Sequence, residues 1–220
     1  MKFWDFLKEG TVGLEYGALW SYSPWGTSTQ EMRSKDYRHY LKNDWPVDYA
    51  GKQVLMSEVV AQTIVESKTR LPFMSLFENN PVLVPVTRSS LLKPDSLWVP
   101  HRLAMALHRR GLGSAVSPSL VRTYPVGYKA TAEEHYDSQK VEQKLLTDPE
   151  RILLIDDFVT RGATLIASAL RLWETYPKVH IAGFAAIRTV TNSSNFKRID
   201  DPAFNAITLY QSGRTHREPD

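Results

Sequence analysis

Residues 151–165 read RILLIDDFVTRGATL, and the order of residue types in this stretch decides the fold. Ile152 to Ile155 form a short, branched apolar run bounded by charge, the pattern of a strand buried on both faces of a parallel sheet. Two adjacent carboxylates, Asp156 and Asp157, end that run. From Thr164 to Tyr176 the apolar residues Leu165, Ile166, Ala169, Leu170, Leu172 and Trp173 recur at a spacing that predicts a helix. The strand therefore passes to the helix through Phe158-Val159-Thr160-Arg161-Gly162-Ala163. A helix N-terminus offers unpaired N–H groups and a partial positive charge, and small residues let an anion come close to them. The carboxylates stand at the carboxyl end of the strand, where open α/β sheets hold their ligands. They repel phosphate, but they accept hydrogen bonds from vicinal hydroxyls or hold a hydrated Mg²⁺. The ligand so implied is a sugar with hydroxyls on one edge and a phosphate on the other. A plain strand-to-helix turn shares some of these features; strand, acid pair, glycine and second threonine in one register favour the ligand site.

This pattern resembles the phosphoribosyl pyrophosphate (PRPP) signature of the type I phosphoribosyltransferases. The family motif runs from four apolar strand residues through two acidic and two variable residues to a Thr/Arg-Gly-x-Thr loop. Here those parts are Ile152 to Ile155, Asp156-Asp157, Phe158-Val159 and Thr160-Arg161-Gly162-Ala163-Thr164. The resemblance implies a PRPP site running from Asp156 through Thr164. In it Asp156 and Asp157 bind the ribose hydroxyls and hold Mg²⁺, directly or through water, while Thr160 to Thr164 cradle the 5′-phosphate. It also implies a parallel sheet flanked by helices, a small variable hood lobe built from the chain ends, and a homodimer. Upstream, Pro81 to Pro85 read as a second buried strand, followed by Val86-Thr87-Arg88-Ser89-Ser90. That turn is similar to the loop that binds pyrophosphate in the family, so Thr87, Arg88 and Ser89 are candidates for this role. Arg88 offers phosphate oxygens a planar fork that a lysine would not match.

Composition sets wider bounds. A chain of 220 residues holds one large domain, or a core with an accessory lobe. Hydrophobic residues at 42% and charged residues at 23% are ordinary for a globular protein. The absence of cysteine excludes disulfides, thiolate chemistry and zinc ribbons. Lys2, Asp5, Lys8, Glu9 and Glu15 interrupt the first residues, so no signal-peptide stretch is read there, and no later run reaches membrane-spanning length. A cytoplasmic location is the expectation. The net charge of +3 suits a ligand with two phosphate groups, and it permits nucleic acid without demanding it.

Along the rest of the chain, Val54 to Arg70 and Trp98 to Arg110 read as amphipathic helices, the second stopped by Gly111 and Gly113. His101 and His108 share a face of that helix and, without a third ligand, read as helix surface. Ser119 to Arg122 suit a short strand, and Thr123 to Ala130 a loop. Thr131-Ala132-Glu133-Glu134 matches a capping box and predicts a polar helix to about Leu146. This stretch takes the place of the hood loop that closes over PRPP in the family with a cationic side chain. Lys129 is the candidate, with Arg122 and His135 behind it. His180 to Ile187 read as the next buried strand. Residues 1–46 are dense in aromatics without a clean period, and Gln211 to Asp220 read as a polar tail. The expected organisation is an aromatic-rich N-terminal lobe with a lead-in helix over 1–75, a phosphoribosyltransferase core over 76–192, and a C-terminal strand and tail over 193–220. The N-terminal aromatics, interleaved with Arg33, Lys35, Arg38 and Lys42, suit a small core first and stacking on nucleobases second.

The resemblance implies a glycosyltransferase of nucleotide metabolism. Phosphoribose passes from Mg²⁺-bound PRPP to a nitrogen acceptor, pyrophosphate leaves, and Arg88 and Lys129 are the catalytic cations. Thr160 stands where the purine-salvage members carry an aspartate, which argues against a hypoxanthine or guanine acceptor. The Val-Thr-Arg-Gly order is closer to the glutamine amidophosphoribosyltransferases. The arrangement as a whole is similar to the ComF group, without the cysteines of either. The alternative is a non-catalytic module that senses PRPP or a nucleotide and works beside nucleic acid in DNA uptake, repair or defence. A metal-dependent hydrolase fits less well, since two adjacent carboxylates rarely complete a two-metal site.

Overall fold

The run Ile152 to Ile155 lies in β8 (Arg151–Val159), in a computed structural model that describes residues 2–127, 129–142 and 149–218. All four side chains are at most 1% exposed. Alternate residues of a strand point to opposite faces. Ile152 and Leu154 enter one core, formed with α5 (Ala163–Thr175), α4 (Ala132–Asp137) and a 3-10 turn at Phe3–Leu7. Leu153 and Ile155 enter a second core, formed with α2 (Met56–Ser67) and α3 (Val99–Arg109). Cover on both faces is why the run shows no polar alternation. Each such side chain contributes about 1.5–3 kcal/mol by leaving water.

β8 pairs in parallel with β9 (His180–Thr189) on one side and with β4 (Val82–Pro85) on the other. β5 (Ala115–Val116) extends the sheet beyond β4, and β1 (Val12–Tyr22) lies beyond β9, both in the same sense. β10 (Ala203–Leu209) joins β1 antiparallel, and β11 (Thr215–Arg217) joins β10 the same way. The order is β11-β10-β1-β9-β8-β4-β5. The sheet is thus mixed, with a parallel centre and helices on both faces, where the sequence predicts parallel strands throughout. Two small ribbons stand outside it: β2 (Pro46–Tyr49) with β3 (Lys52–Leu55), and β6 (Leu120–Arg122) with β7 (Gln139–Val141). Among the described residues, no helix is long and apolar enough to cross a membrane.

Three expectations need correction. Residues 12–22, expected in a separate N-terminal lobe, form an interior strand of the sheet, and β10 and β11 come from the segment expected to be a strand and tail. The division at residues 75 and 193 therefore does not follow the sheet. β1 hides its period because Gly17 faces Phe73, whose Cβ would lie 2.5 Å from a Cβ placed on that glycine. Its opposite face carries Leu14, Tyr16 and Ala18, all buried. The helix expected from Thr131 to about Leu146 stops at Asp137, although its Thr131–Glu134 capping box is present. Ser138 ends it: its hydroxyl donates to the Glu134 carbonyl at 2.7 Å, and the chain turns into β7 to pair with β6. Positions 143–148 of the expected helix lie outside the described residues. Finally, the polar tail carries Arg217, which is 2% exposed.

The register positions the acid pair. β4 ends at Pro85 opposite Ile155, and the Val86 N–H donates to the Ile155 carbonyl at 3.0 Å as the last link. β8 continues with β9 alone, pairing Asp156 with Ala185 and Phe158 with Ile187. Asp156 and Asp157 thus stand inside the strand, just beyond the end of its neighbour.

Candidate functional site

A cleft opens at this strand end. One compartment of about 350 Å³ is bounded by Lys129, His135, Asp156 and the loop from Val159 to Thr164. A second, of about 480 Å³, is bounded by Lys42, Thr87 to Ser90, Asp156 and Asp157. The two share His135, Asp156, Phe158 and Thr164. The structure therefore gathers the acid pair, the loop after β8 and the loop after β4 around one space.

Asp156 is buried, and its Oδ1 accepts the Asp157 N–H at 2.9 Å; Asp157 Oδ1 accepts the Phe158 N–H at 3.0 Å. Burial, and then the charge of Asp157, push the Asp156 carboxyl well above the usual carboxylate range. Burial also raises Asp157, against the opposing pull of its hydrogen bonds and of Lys42. Two carboxylates held this way repel one another, and a cation relieves both. Among the described residues no group of three or more His, Asp or Glu side chains could cage a metal. A pair of carboxylates open to ligand oxygens and water fits Mg²⁺, which retains waters and is commonly completed by substrate phosphates.

The loop Thr160 to Thr164 owes its shape to Gly162, the N-cap of α5, at φ +80°. A Cβ there would approach the Ile207 side chain to 2.7 Å, so conformation and packing both demand glycine. α5 has no acidic residue in its first turn and no side-chain cap, which leaves its first N–H groups for a ligand. The loop is braced from behind. Arg217 Nε donates to the Thr160 carbonyl at 2.7 Å, its Nη2 to the Thr189 carbonyl at 2.5 Å, and its Nη1 to the Tyr16 hydroxyl at 2.9 Å. The Thr160 and Thr189 hydroxyls share a hydrogen bond of 2.9 Å. Arg161 turns toward the segment that precedes α4, where Nη2 donates to the Lys129 and Ala130 carbonyls at 3.2 and 3.4 Å.

Arg88 borders the second compartment, and its Nη1 donates to the Leu97 carbonyl at 2.7 Å. Lys42 and Asn43, from the end of α1 (Thr29–Asn43), line the same compartment. Sequence reasoning missed their place because α1 is polar nearly all round, with only Ser34 and Leu41 buried. Its Ser28–Glu31 capping box was the available signal. Arg38, one turn earlier, lies 5.9 Å from the Phe158 ring centroid and 5.4 Å from that of Tyr22. Asp44 fixes this end of α1, accepting the Ser57 N–H at 2.8 Å and pairing with Arg102 at 3.4 Å. Arg217 gave no sequence signal at all, standing in an otherwise polar segment.

The sequence matches no protein-family model and no curated protein. Among solved structures the chain is similar to a hypoxanthine phosphoribosyltransferase from Staphylococcus aureus, with 14% identity and a TM-score of 0.35 over 62% of this chain and 73% of that one. It is also similar to an HPRT whose invariant aspartic acid is replaced by glutamic acid, with 14% identity and a TM-score of 0.31 over 72% of this chain and 79% of that one. A third similar structure is the glutamine form, at 14% identity and a TM-score of 0.30 over the same shares. These resemblances are distant and of low identity, and they leave the chemistry of the cleft to be read from its own residues.

Proposed function

We propose that this protein binds PRPP with Mg²⁺ and transfers its phosphoribosyl group to a nitrogen acceptor, releasing pyrophosphate. The observation that supports this most is the meeting of three parts in one cleft: the acid pair on β8, the glycine-shaped N-terminus of α5, and the Thr87–Ser90 loop. A sugar carrying phosphates at both ends satisfies all three. Asp156 and Asp157 accept hydrogen bonds from the ribose hydroxyls and fix the ring over the strand end. The N–H groups of the loop from Thr160 to Thr164, with the Thr164 hydroxyl, hold the 5′-phosphate. Thr87, Arg88 and Ser89 hold the pyrophosphate, Arg88 through guanidinium N–H groups other than the one on Leu97. Bound Mg²⁺ supplies charge neutralisation to the departing pyrophosphate. Lys129 brings a further cation to the leaving group as the bond to C1′ breaks.

The test is pyrophosphate release from PRPP and Mg²⁺ with a panel of acceptors: ammonia, amines and free nucleobases. Turnover with one of them is expected. In that assay Lys129→Ala should lower turnover by about 100-fold, the usual scale for one transition-state contact, while PRPP affinity changes little. PRPP binding without turnover on any acceptor would assign the chain to the non-catalytic, sensing alternative instead.

A further inference from the structure

α1 buries only Ser34 and Leu41, so most of its surface faces outward. Residues three, four or seven apart share a helix face. Lys35, Arg38 and Lys42 therefore form one stripe, about 10 Å long. Glu31, one turn before Lys35, is turned back into the cap of the helix. Its carboxylate accepts the Ser28 N–H at 3.0 Å, the Ser28 hydroxyl at 2.7 Å and the Ser23 hydroxyl at 3.2 Å. Asp36 stands about 100° around the helix from Lys35. The stripe is thus cationic along its length.

An exposed indole stands at each end of it. Lys35 Nζ donates to the Gly26 carbonyl at 2.9 Å, which places the first cation beside Trp25, whose side chain packs in neither core and is 77% exposed. Past the other end, Trp45 is 47% exposed, and its ring stands perpendicular to that of His39 with 4.7 Å between centroids. Between the two, Arg38 lies over the Tyr22 and Phe158 rings, and Lys42 borders the second compartment of the cleft. The stripe therefore passes the mouth of the cleft. An acidic protein would engage the cations and leave the indoles unused, and a duplex keeps its base faces in the stack. A strand with unpaired bases engages both, through its phosphates and its π-faces.

We propose that this face of α1, from Trp25 to Trp45, binds single-stranded nucleic acid, with Lys35, Arg38 and Lys42 on backbone phosphates and the two tryptophans stacked on bases. The proposal does not rest on the PRPP reading of the cleft. A bound strand runs past Phe158 at the cleft mouth.

Fluorescence anisotropy with a labelled strand of about 12 nucleotides, in DNA and RNA forms, tests this on the intact chain at about 50–200 mM salt. Saturable binding, tighter than that of a duplex of the same length, is expected. Three phosphate contacts predict a slope of about −2 for log affinity against log salt. Lys42→Gln should weaken binding and make that slope shallower by about 0.7. Trp25→Ala should weaken binding by about 5- to 100-fold, the scale of one lost stacking contact, and Trp25→Phe, which keeps a ring, should recover most of the loss. Both positions are exposed, and an unchanged melting temperature shows that each variant is folded. No binding by the intact chain, undiminished binding by Trp25→Ala, or equal binding of the duplex would overturn the proposal. Polyglutamate that displaces the strand at matched charge would overturn it in favour of an acidic protein partner. PRPP titration of the same chain reads the cleft separately, so either reading can fail without the other.

Discussion

Asp156 shows most directly what the site costs the fold. Its folded-state pKa lies above the unfolded value of 3.8. The penalty is therefore absent in acid and grows as pH rises through that value toward the folded one. At neutral pH the buried acid pair works against folding, and a bound cation or diol offsets this only when ligand is present. Asp156→Asn keeps an oxygen to accept the Asp157 N–H and removes the charge. The variant should melt higher at about pH 7, by about 2–4 °C for each ~1 kcal/mol relieved, and the gain should fade toward about pH 4. Melting curves across that pH range check this; a variant less stable than the natural chain at neutral pH contradicts it. The pair itself was legible in the sequence because two acids ending an apolar run have few structural uses. Arg217 was not legible in the same way. It acts by reaching across the chain to a loop that precedes it by 57 positions, and no local pattern encodes such a reach.

At the scale of elements, β8 and α5 were readable because their apolar residues follow the periods of strand and helix. The loop between them depends on one residue. Gly162 occupies the left-handed region and packs against Ile207, so Gly162→Ala meets backbone strain and steric overlap together. It should destabilise the protein by roughly 2–4 kcal/mol, the sum of a left-handed non-glycine and an overpacked contact. It should also weaken ribose 5-phosphate binding. Adding Ile207→Ala removes the overlap but not the strain, so the double variant should lose less than the two single losses together. Urea unfolding of the three variants checks this, and strict additivity would show that the contact with Ile207 does not matter. The short α4 was misjudged in length because its capping box marks a start and nothing in a polar sequence marks the stop. The stop comes from Ser138 and from the pairing of β7 with β6, which are tertiary events.

For the whole molecule, the parallel centre of the sheet was legible and its completion was not. β1 lies between β9 and β10, yet its glycines and exposed Glu15 break the alternation that would have announced a strand. A fragment of residues 76–192 lacks β1, β10 and β11, and it leaves one edge of β9 and much of both cores uncovered. It should not fold alone; circular dichroism and amide spectra of the fragment check this, and a cooperative melting transition would restore the separate-lobe organisation. The N-terminal aromatics divide in the same way. Phe3, Tyr16 and Trp20 are buried in the cores, while Trp25 is 77% exposed. The central claim, however, concerns the cleft that this sheet assembles, and calorimetric titration of the intact chain with PRPP and Mg²⁺ tests it most directly. Saturable binding that disappears when Asp156 and Asp157 are both changed to Asn, in a variant that still melts cooperatively, is the predicted result. No binding by the intact chain, or undiminished binding by that variant, would contradict the account.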